Sequence, residues 1–451
     1  MALTGLDIYK LLPKTNCGKC GVPTCLAFAM KVAQKKASIE ECPDVDEKAK
    51  QVLAEASEPP IRTVSVGSGE HRKALGGETV LFRHEKTFYN PTGLGVALSD
   101  TLSEEEILNK LNAFNNLIFD RVGKKEKVEF IAIKEESGSK EKFSYVVDKI
   151  KTNVRYPAFF ILISSNVEHL EEGVKVIADK RPAIGIAEVD NCDKYINLAK
   201  MYNNLPVIVK GKDIEELSAV SQKAASLGYR ELILYPGDGL PYSFLLETLV
   251  QIRRLSLRRN FRPLGYPVIV FVEETEKFLA AAYASQWICK YASIVIFNEL
   301  ESYQALPLVT LRMNIYTDPQ KPVVVESKLY SVGGQAKETS PLLVTTNFSL
   351  TYYTVEPEIV NSKIPSWLLV VDTEGLSVLT AWAAEKFTPE IILESMKKEN
   401  VDSKIAHRKI IIPGYVAMMS GKLSELTGYE VIVGPREASG IPKFLRTFWR
   451  S

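Results

Sequence analysis

Residues 206–234, PVIVKGKDIEELSAVSQKAASLGYRELIL, contain one complete strand–helix–strand unit. Its two ends, 206–209 and 231–234, are short apolar runs without alternation, which is typical of strands buried on both faces of a parallel sheet. Between them the pattern predicts a helix over 213–227. Asp213 and Glu216 form the acidic variant of a capping box at the N-terminus of this helix, and Gly228 ends the helix at its C-terminus. This stretch therefore predicts the repeating unit of an α/β fold.

The same pattern recurs on both sides of this unit, between residues 61 and 316. One further helix, predicted over 103–119, begins with the capping box of Ser103 and Glu106. Eight strand–helix units in about 240 residues match a (β/α)8 TIM barrel, and a doubly wound open sheet is the competing interpretation. The predicted strands are 79–82, 128–133, 159–163, 183–187, 206–209, 231–234, 267–272 and 293–297.

A second, smaller α/β domain is predicted over 322–451. Its predicted strands are 342–346, 367–371, 409–412 and 430–433. Helical patterns cover 376–386, 389–399, 415–426 and 441–448. We expect a parallel sheet of the Rossmann or flavodoxin type.

The composition is that of a globular protein. The chain has 451 residues, of which 46% are hydrophobic and 25% charged. Its 56 basic and 55 acidic residues give a net charge of +1, which supplies no overall attraction to nucleic acid or an anionic membrane. No apolar run reaches membrane-spanning length, and the N-terminus lacks the pattern of a signal peptide. We therefore expect a cytoplasmic protein that binds neither nucleic acid nor membranes.

The first segment, 1–58, contains four of the six cysteines, and a helical pattern over 46–56 precedes Pro59-Pro60. The spacing is Cys17-x2-Cys20-x4-Cys25-x16-Cys42. A cytosolic protein does not keep structural disulfides, so this cluster indicates a metal site. A bound metal would stabilise the fold of a segment that is too short to bury much hydrophobic core. Zinc usually takes two cysteine pairs, whereas only one C-x2-C is present. The spacing therefore favours a [4Fe-4S] cluster over zinc and over unliganded thiols.

Three loops at the carboxyl ends of predicted strands are candidates for a second site. They are 372–377, 413–415 and 434–440, and they are rich in glycine and hydroxyl side chains. Ligands of open α/β sheets bind at this edge, so the loops suit a large ligand with an amide rim. The alternative is that they are ordinary turns, which favour the same residues. None of them matches a nucleotide-binding motif.

Three parts of the chain together resemble one family: NCGKCGVPTC with ECP in the first segment, VVDTEGLSVLTAW at 370–382, and GPREASGIP at 434–442. The chain resembles the large (gamma) subunit of the corrinoid iron-sulfur protein of the acetyl-CoA decarbonylase/synthase system, over its whole length. The resemblance implies a methyl carrier of the anaerobic reductive acetyl-CoA pathway, rather than a self-contained enzyme. Its cobalamin, as Co(I), would accept a methyl group from methyltetrahydrofolate and deliver it to the nickel site of acetyl-CoA synthase. The [4Fe-4S] cluster would reactivate Co(II).

The resemblance also implies partners and site residues. The partners are a small subunit in a heterodimer, a methyltetrahydrofolate methyltransferase, acetyl-CoA synthase/carbon monoxide dehydrogenase and a low-potential electron donor. The implied cluster ligands are Cys17, Cys20, Cys25 and Cys42. The implied cobalamin contacts, all in a C-terminal cobalamin-binding domain, are Ser340, Thr346, Thr373, Glu374, Gly375, Leu376, Gly414, Arg436, Ser439 and Gly440.

Three other functions stay open on the residues alone. The cluster could pass electrons to a flavin in the C-terminal domain, the barrel mouth could itself be a methyltransferase site, or the chain could be a scaffold with a zinc knuckle. None of the four histidines lies in the D-x-H-x-x-G context that supplies an axial ligand to cobalt in other cobalamin proteins. His407, the one in the C-terminal domain, lies at the wrong end of its strand for that role.

Overall fold

The structure, a computed structural model, describes residues 5–33, 37–46, 58–121 and 123–449. It contains two compact units, Met1–Phe119 with Glu126–Tyr316, and Asp120–Lys125 with Thr317–Ser451. The helix predicted over 46–56 lies outside the described residues, apart from its first position. None of the helices in the described ranges is both long enough and apolar enough to cross a membrane.

The N-terminal segment is a small helical module. Its elements are α1 (Gly5–Leu11), α2 (Cys25–Ala33) and a 3-10 turn (Ile39–Glu41). The two helices pack together around the buried side chains Ile8, Leu12 and Phe28. Two cysteines, Cys25 and Cys42, belong to the same small core. The core is therefore built partly from the metal-binding candidates themselves.

Twelve strands follow, eight of which form a closed parallel barrel. In chain order they are β1 (Thr63–Ser68), β2 (His71–Gly76), β3 (Gly93–Ser99), β4 (Ile118–Arg121), β5 (Lys124–Lys127), β6 (Phe130–Lys134), β7 (Phe159–Ile163), β8 (Ala183–Ala187), β9 (Val207–Lys210), β10 (Leu232–Tyr235), β11 (Ile269–Val272) and β12 (Ile294–Phe297). The barrel contains β3 and β6–β12, with β3 lying between β6 and β12. A parallel bridge between Leu234 and Val268 closes it. The TIM-type barrel expected from the sequence is confirmed.

Helices cover the outside of the barrel, and the two that the sequence predicts, over 103–119 and 213–227, start at the expected positions. They are α3 (Glu104–Asn115), α4 (Lys140–Asn153), α5 (Val167–Ile177), α6 (Cys192–Met201), α7 (Ile214–Ser226), α8 (Tyr242–Arg258), α9 (Lys277–Cys289) and α10 (Ser302–Ile315). The Ser103 hydroxyl accepts from the backbone N–H of Glu106 at 3.3 Å, which confirms the capping box. The Asp213 carboxylate accepts from the N–H of Glu216 at 2.8 Å, and Gly228 has φ +70°.

The predicted strand 79–82 is wrong, and the first barrel strand is instead Gly93–Ser99. Its sequence, GLGVALS, has too few β-branched residues to attract attention. The glycines are required by a neighbour on β6, because a Cβ on Gly93 would lie 2.2 Å from the ring of Phe130. A Cβ on Gly95 would lie 2.5 Å from Phe130 Cβ. Tertiary packing thus overrides the low strand propensity of this stretch.

The antiparallel hairpin β1–β2 packs against the interior side chains of the barrel. Its side chains Val64, Val66 and Leu75 are buried in one cluster with inward-facing residues such as Phe130 and Ile161. An ion pair between Lys73 on β2 and Glu129, just before β6, adds to this packing. The hairpin therefore fills the barrel at the end where the strands begin.

The second unit contains a five-stranded sheet. Its strands are β13 (Leu329–Val332), β14 (Leu342–Thr346), β15 (Ser366–Val371), β16 (Lys409–Ile412) and β17 (Glu430–Val433), in the order β13-β15-β14-β16-β17. The four predicted strands, β14 to β17, are confirmed. They are parallel and lie in the order β15-β14-β16-β17, which is the flavodoxin-like order. The expectation of a purely parallel sheet is wrong, because β13 is an antiparallel edge strand. The sequence of β13, LYSV, lacks the run of consecutive apolar residues that marked the other four strands.

Six helices surround this sheet: α11 (Ser349–Ser362), α12 (Val378–Ala383), α13 (Pro389–Lys398), α14 (Val401–Lys404), α15 (Ser420–Thr427) and α16 (Ile441–Phe448). The helix α11 was not predicted, because it contains Pro357 in its interior and proline disfavours a helix. The helix predicted over 415–426 begins as a 3-10 helix, Gly414–Met419, before it becomes α-helical.

Candidate functional site

The cysteine loop of the N-terminal module has an unusual backbone. Four of its residues, Lys14, Asn16, Gly18 and Gly21, have φ between +52° and +75°. A Cβ on Gly18 or Gly21 would meet nothing within 4 Å, so glycine is needed there for conformation and not for space. The loop closes onto the start of α2, because the Cys25 N–H donates to Asn16 Oδ1 at 2.8 Å and the Asn16 N–H donates to Cys25 Sγ at 3.4 Å.

The four thiols of this segment differ in exposure but share one electrostatic environment. Cys17 is exposed and Cys20 is half-buried, whereas Cys25 and Cys42 are buried. Burial raises the pKa of the Cys42 thiol, and the nearby thiols of Cys20, Cys25 and Cys17 raise it further. Cys20, Cys25 and Cys42 belong to the same small core, and Cys17 lies beside Asp44, two residues after Cys42.

A thiol donor set of this kind fits an iron-sulfur cluster, in which each thiolate binds a different iron at a separate corner. Among the described residues, no three His, Cys, Asp or Glu side chains converge on the position of one metal ion. Asp44 lies beside Cys17, with 3.7 Å between Cys17 Sγ and its carboxylate, and is paired with Lys19 at 3.0 Å. The charge of this acid is thereby neutralised next to the exposed thiol.

A cavity opens at the carboxyl edge of the C-terminal sheet, between β14 and β16. These neighbours share a single residue pair, Leu343 with Ile411, and the sheet order reverses between them. In open α/β sheets this switch point is the usual ligand site. The cavity has a volume of about 290 Å³. Its walls are formed by Leu343, Val344, Thr345, Leu350, Thr351, Thr354, Val355, Val378, Ile411, Ile412, Pro413, Tyr415, Gly434, Pro435, Arg436, Ala438 and Ile441.

Two hydroxyls at the end of β14 are buried without a hydrogen-bond partner. They belong to Thr345, which is 1% exposed and lines the cavity, and to Thr346, which is 0% exposed. Buried polar atoms are almost always hydrogen-bonded, so these two need an explanation. A ligand with polar groups, bound in the cavity, would supply a partner for the Thr345 hydroxyl.

The loop after β15 is held by one side chain from the loop after β14. Asn347 Oδ1 accepts from the N–H of Thr373 at 3.1 Å, from its hydroxyl at 3.0 Å and from the N–H of Gly375 at 3.0 Å. The Asn347 amide donates to Asp372 at 2.9 Å. Glu374, between these residues, has φ +57° and pairs with Lys386 at 2.6 Å. The predicted loop is therefore rigidly shaped.

The other two candidate loops contact each other through their backbones. The Gly414 N–H donates to the Pro435 carbonyl at 3.1 Å. A Cβ on Gly414 would lie 2.6 Å from the Gly434 carbonyl oxygen, so no other residue fits there. The Tyr415 hydroxyl donates to Glu437 at 2.5 Å, and this hydrogen bond to the carboxylate raises the pKa of Tyr415.

Nine of the ten predicted cobalamin contacts lie in loops or strand ends at this carboxyl edge: Thr346, Thr373, Glu374, Gly375, Leu376, Gly414, Arg436, Ser439 and Gly440. Ser340 does not, because it precedes β14 and its carbonyl accepts from His407 at 2.8 Å at the amino edge of the sheet. Thr345 and Asn347 were missed. Both adjoin the carboxyl end of a predicted strand, so the rule used for the other three loops could have found them.

Exposed apolar side chains flank the cavity. Leu379 and Trp382 on α12 are 47% and 40% exposed, and Tyr415 and Met418 on the adjoining 3-10 helix are 38% and 65% exposed. Large apolar side chains seldom lie together in solvent without a function. They provide a surface for a broad, flat ligand beside the cavity.

The two remaining cysteines lie away from both sites. Cys192 is fully buried at the start of α6, and burial raises the pKa of its thiol to about 11. Burial also raises the pKa of Cys289, on α9. Neither thiol belongs to the cysteine loop or lines the cavity.

Comparisons with known proteins agree with this architecture. A family model described as "CO dehydrogenase/acetyl-CoA synthase delta subunit" matches residues 63–445, and one described as "Putative Fe-S cluster" matches residues 12–43. The chain is 45% identical to the corrinoid/iron-sulfur protein large subunit of Moorella thermoacetica, covering 99% of both chains. It is 35% identical to the acetyl-CoA decarbonylase/synthase complex subunit gamma of Methanothermobacter thermautotrophicus, again covering 99% of both.

Among solved structures, the dihydropteroate synthase of Thermus thermophilus matches with a TM-score of 0.39 and 16% identity, covering 56% of this chain and 100% of that one. Fold and sites define a multi-domain α/β protein with an iron-sulfur region, a parallel barrel and a mixed-sheet domain. The chain belongs to the family of corrinoid/iron-sulfur protein large subunits, which are the gamma subunits of acetyl-CoA decarbonylase/synthase complexes.

Proposed function

We propose that this chain is a methyl carrier that holds a corrinoid at the sheet-edge cavity and a [4Fe-4S] cluster in the cysteine loop. The name of the Moorella relative contains both groups, and the identity extends over nearly the whole chain. When bound, the corrinoid supplies a cobalt that takes a methyl group from methyltetrahydrofolate by way of a methyltransferase and gives it to the nickel site of acetyl-CoA synthase. The cluster supplies the electrons that restore oxidised cobalt.

The observation that carries the proposal is the cavity between β14 and β16, which is lined by the partnerless hydroxyl of Thr345. Thr345 would donate to a polar atom of the corrinoid, and Thr346, at the end of the same strand, remains a predicted contact. Arg436, at the rim, would offer its guanidinium to amide or phosphate oxygens. Gly375 and Gly414 remain predicted contacts, and each lets its loop pack closely on a neighbour, Gly375 on Pro322 and Gly414 on the Gly434 carbonyl. Glu374, Leu376, Ser439 and Gly440 remain predicted contacts from the same loops.

The exposed apolar side chains beside the cavity are proposed to contact the corrin ring. Leu379, Trp382, Tyr415 and Met418 would cover part of the macrocycle and keep water from it. An exposed apolar surface beside a polar cavity suits a cofactor that has an apolar ring and polar side arms. Thr373 and Asn347 act indirectly, because they fix the loop without lining the cavity.

The cysteine loop would hold the cluster through Cys17, Cys20, Cys25 and Cys42. Gly18 and Gly21 let backbone N–H groups approach a negatively charged cluster, which stabilises its charge. Cys17 is the exposed thiol, so its corner would face solvent and a low-potential electron donor. Buried Cys25 and Cys42 anchor the opposite side in the small core.

As a carrier the chain needs partners. The relatives are subunits of a complex, and we propose a small subunit as the permanent partner in a heterodimer. The methyltransferase, acetyl-CoA synthase/carbon monoxide dehydrogenase and the electron donor are proposed as transient partners. In this arrangement the barrel serves as a scaffold and a binding surface.

The test is an anaerobic metal analysis with a visible spectrum of the purified chain. We expect about four iron atoms per chain, stoichiometric cobalt, no zinc and corrinoid absorption bands. Flavin bands without cobalt would support the electron-transfer alternative. Stoichiometric zinc without iron would support the scaffold alternative.

A further inference from the structure

Residues 322–325, which precede β13, run alongside the stretch of chain that follows β14. The Val325 N–H donates to the Asn347 carbonyl at 2.9 Å, and the Ser349 N–H donates to the Val323 carbonyl at 2.9 Å. The hydroxyl of Ser349, which is buried, donates to the same Val323 carbonyl. We call residues 322–325 the strap, because their backbone is tied to this stretch at two points.

The strap also packs against the loop that follows β15. A Cβ on Gly375 would lie 2.6 Å from Pro322 Cβ and 2.8 Å from Val324 Cγ1, so only glycine leaves room for the strap there. The Gly375 N–H donates to the side chain of Asn347 at 3.0 Å. Asn347 therefore holds the loop with its side chain and the strap with its backbone carbonyl.

The stretch that the strap holds, 347–349, lies between two parts of the cavity wall. Thr345 lies just before it and Leu350 just after it, and both line the cavity. The loop after β15 likewise leads from Gly375 to Val378, which is another wall residue. A binding site is precise only when the groups around it fix its walls. The strap contacts both loops that carry these wall residues.

We propose that the strap is a positioning segment of the corrinoid site, which holds Thr345, Leu350 and Val378 in the arrangement that binds the cofactor. This inference rests on the proposed function for the identity of the ligand. Because coupling between two sites is reciprocal, bound corrinoid in turn holds the strap in place. Five residues, 317–321, separate the strap from Tyr316, where the first unit ends. Movement of this linker therefore reaches the cofactor site through the strap.

The first experiment compares the corrinoid affinity of two serine variants of the full chain. Ser349→Ala removes one hydrogen bond to the strap and should weaken corrinoid binding about fivefold. Ser362→Ala is the matched control, because Ser362 is also buried on α11 and its hydroxyl also donates to a backbone carbonyl, that of Ile359 at 2.6 Å. It should lose a similar amount of stability in urea unfolding but bind corrinoid within about twofold of the wild type.

The second experiment needs no variant. Hydrogen exchange is measured by nuclear magnetic resonance or mass spectrometry on the full chain with and without corrinoid. The Val325 N–H should exchange about tenfold more slowly when corrinoid is bound, because the strap then opens less often. The Ala406 N–H, which donates to the Glu338 carbonyl at 3.0 Å at the amino edge of the sheet, is the control and should exchange at the same rate in both states.

Three outcomes would overturn the proposal. The first is wild-type corrinoid affinity in Ser349→Ala, and the second is equal weakening in Ser362→Ala, which would make the effect one of general stability. The third is an exchange rate at Val325 that corrinoid does not change. Corrinoid content is measured first on the wild type, so a failure of the proposed cofactor is seen separately from a failure of the strap.

Discussion

Asn347 and Thr373, on loops that follow two adjacent strands, are joined by two hydrogen bonds to one oxygen. Asn347 Oδ1 accepts from the backbone N–H of Thr373 at 3.1 Å and from its hydroxyl at 3.0 Å. Thr373 is fully buried. The loop 372–376 thus depends on a side chain from a different loop, and this dependence gives the first prediction.

Asn347→Ala should weaken corrinoid binding and destabilise the C-terminal domain by about 1–3 kcal/mol, because buried donors on Thr373 and Gly375 lose their acceptor. Corrinoid titration followed by absorbance, together with urea unfolding, measures the two effects. Ser340→Ala is the control, since Ser340 lies at the amino edge of the same sheet and should leave corrinoid affinity unchanged. Equal loss in both variants would contradict the assignment of the site to the carboxyl edge.

Thr345→Val separates a ligand contact from a structural role. Valine has the same shape but lacks the buried hydroxyl, so the apo-protein should keep its stability or gain up to about 1 kcal/mol. Corrinoid affinity should fall about tenfold, which is the loss of one good hydrogen bond. Thr354→Val is the matched control: Thr354 also lines the cavity, but its hydroxyl already donates to the Leu350 carbonyl at 2.6 Å. If Thr345→Val binds corrinoid normally, its hydroxyl does not face the ligand.

Cys20→Ala should remove or convert the cluster while leaving the corrinoid bound, since the two sites occupy different segments of the chain. Iron should fall well below that of the wild type at unchanged cobalt, and reductive reactivation of the oxidised cobalt should fail. Cys289→Ala, which removes a thiol outside the motif, is the control and should keep all its iron. Reactivation of Cys20→Ala at the wild-type rate would rule out the electron-relay role.

Arg312→Met should destabilise the barrel by about 3–5 kcal/mol, because it leaves a buried carboxylate uncompensated. Arg312 donates to Glu129 at 3.0 Å, and Lys73 of the β1–β2 hairpin pairs with the same carboxylate at 2.5 Å. Lys175→Met removes an exposed ion pair instead and should change the free energy of unfolding by less than about 1 kcal/mol. Urea unfolding followed by circular dichroism measures both.

The same group predicts a pH dependence. Burial alone would raise the pKa of Glu129, but the charges of Lys73 and Arg312 outweigh it and hold that pKa below its usual value. The folded state therefore binds this proton less readily than the unfolded state. The stabilisation is complete above the ordinary glutamate pKa of about 4.3 and is lost as the pH falls through the lower folded value. In Arg312→Met this acid-side loss of stability should begin at a higher pH than in the wild type.

Electron paramagnetic resonance of the Co(II) form should show no splitting from an axial protein nitrogen. His407 is held at the amino edge, where Nε2 donates to the Ser340 carbonyl at 2.8 Å and Nδ1 accepts from the Lys409 N–H at 3.2 Å. Its ring also contacts Trp449, with 4.7 Å between the centroids. A nitrogen splitting that disappears in His407→Ala would contradict this arrangement.

Features that depend on neighbours in the chain could be read from the sequence. The apolar runs at 159–163, 183–187 and 342–346 form strands at those positions, because a strand buried on both faces needs continuous apolar residues. The prediction of a shared cysteine site is also local, because three of the four cysteines lie within nine residues of one another. Helix caps such as Ser103 with Glu106 are equally local, and the structure confirms them.

Other features were decided by residues distant in sequence. Gly93 and Gly95 are needed in their strand because Phe130, from another strand, takes the space of a side chain, with its ring at Gly93 and its Cβ and carbonyl oxygen at Gly95. The strand order that places β14 beside β16 separates their carboxyl ends and exposes Thr345 to a cavity. No pattern along β14 reveals this, because a threonine there is equally compatible with a solid core. The sequence by itself thus determined most of the strands and the helix caps and predicted a shared cysteine site, whereas only the tertiary structure decided the cavity, since a cavity is the space that the packing of distant segments leaves unfilled.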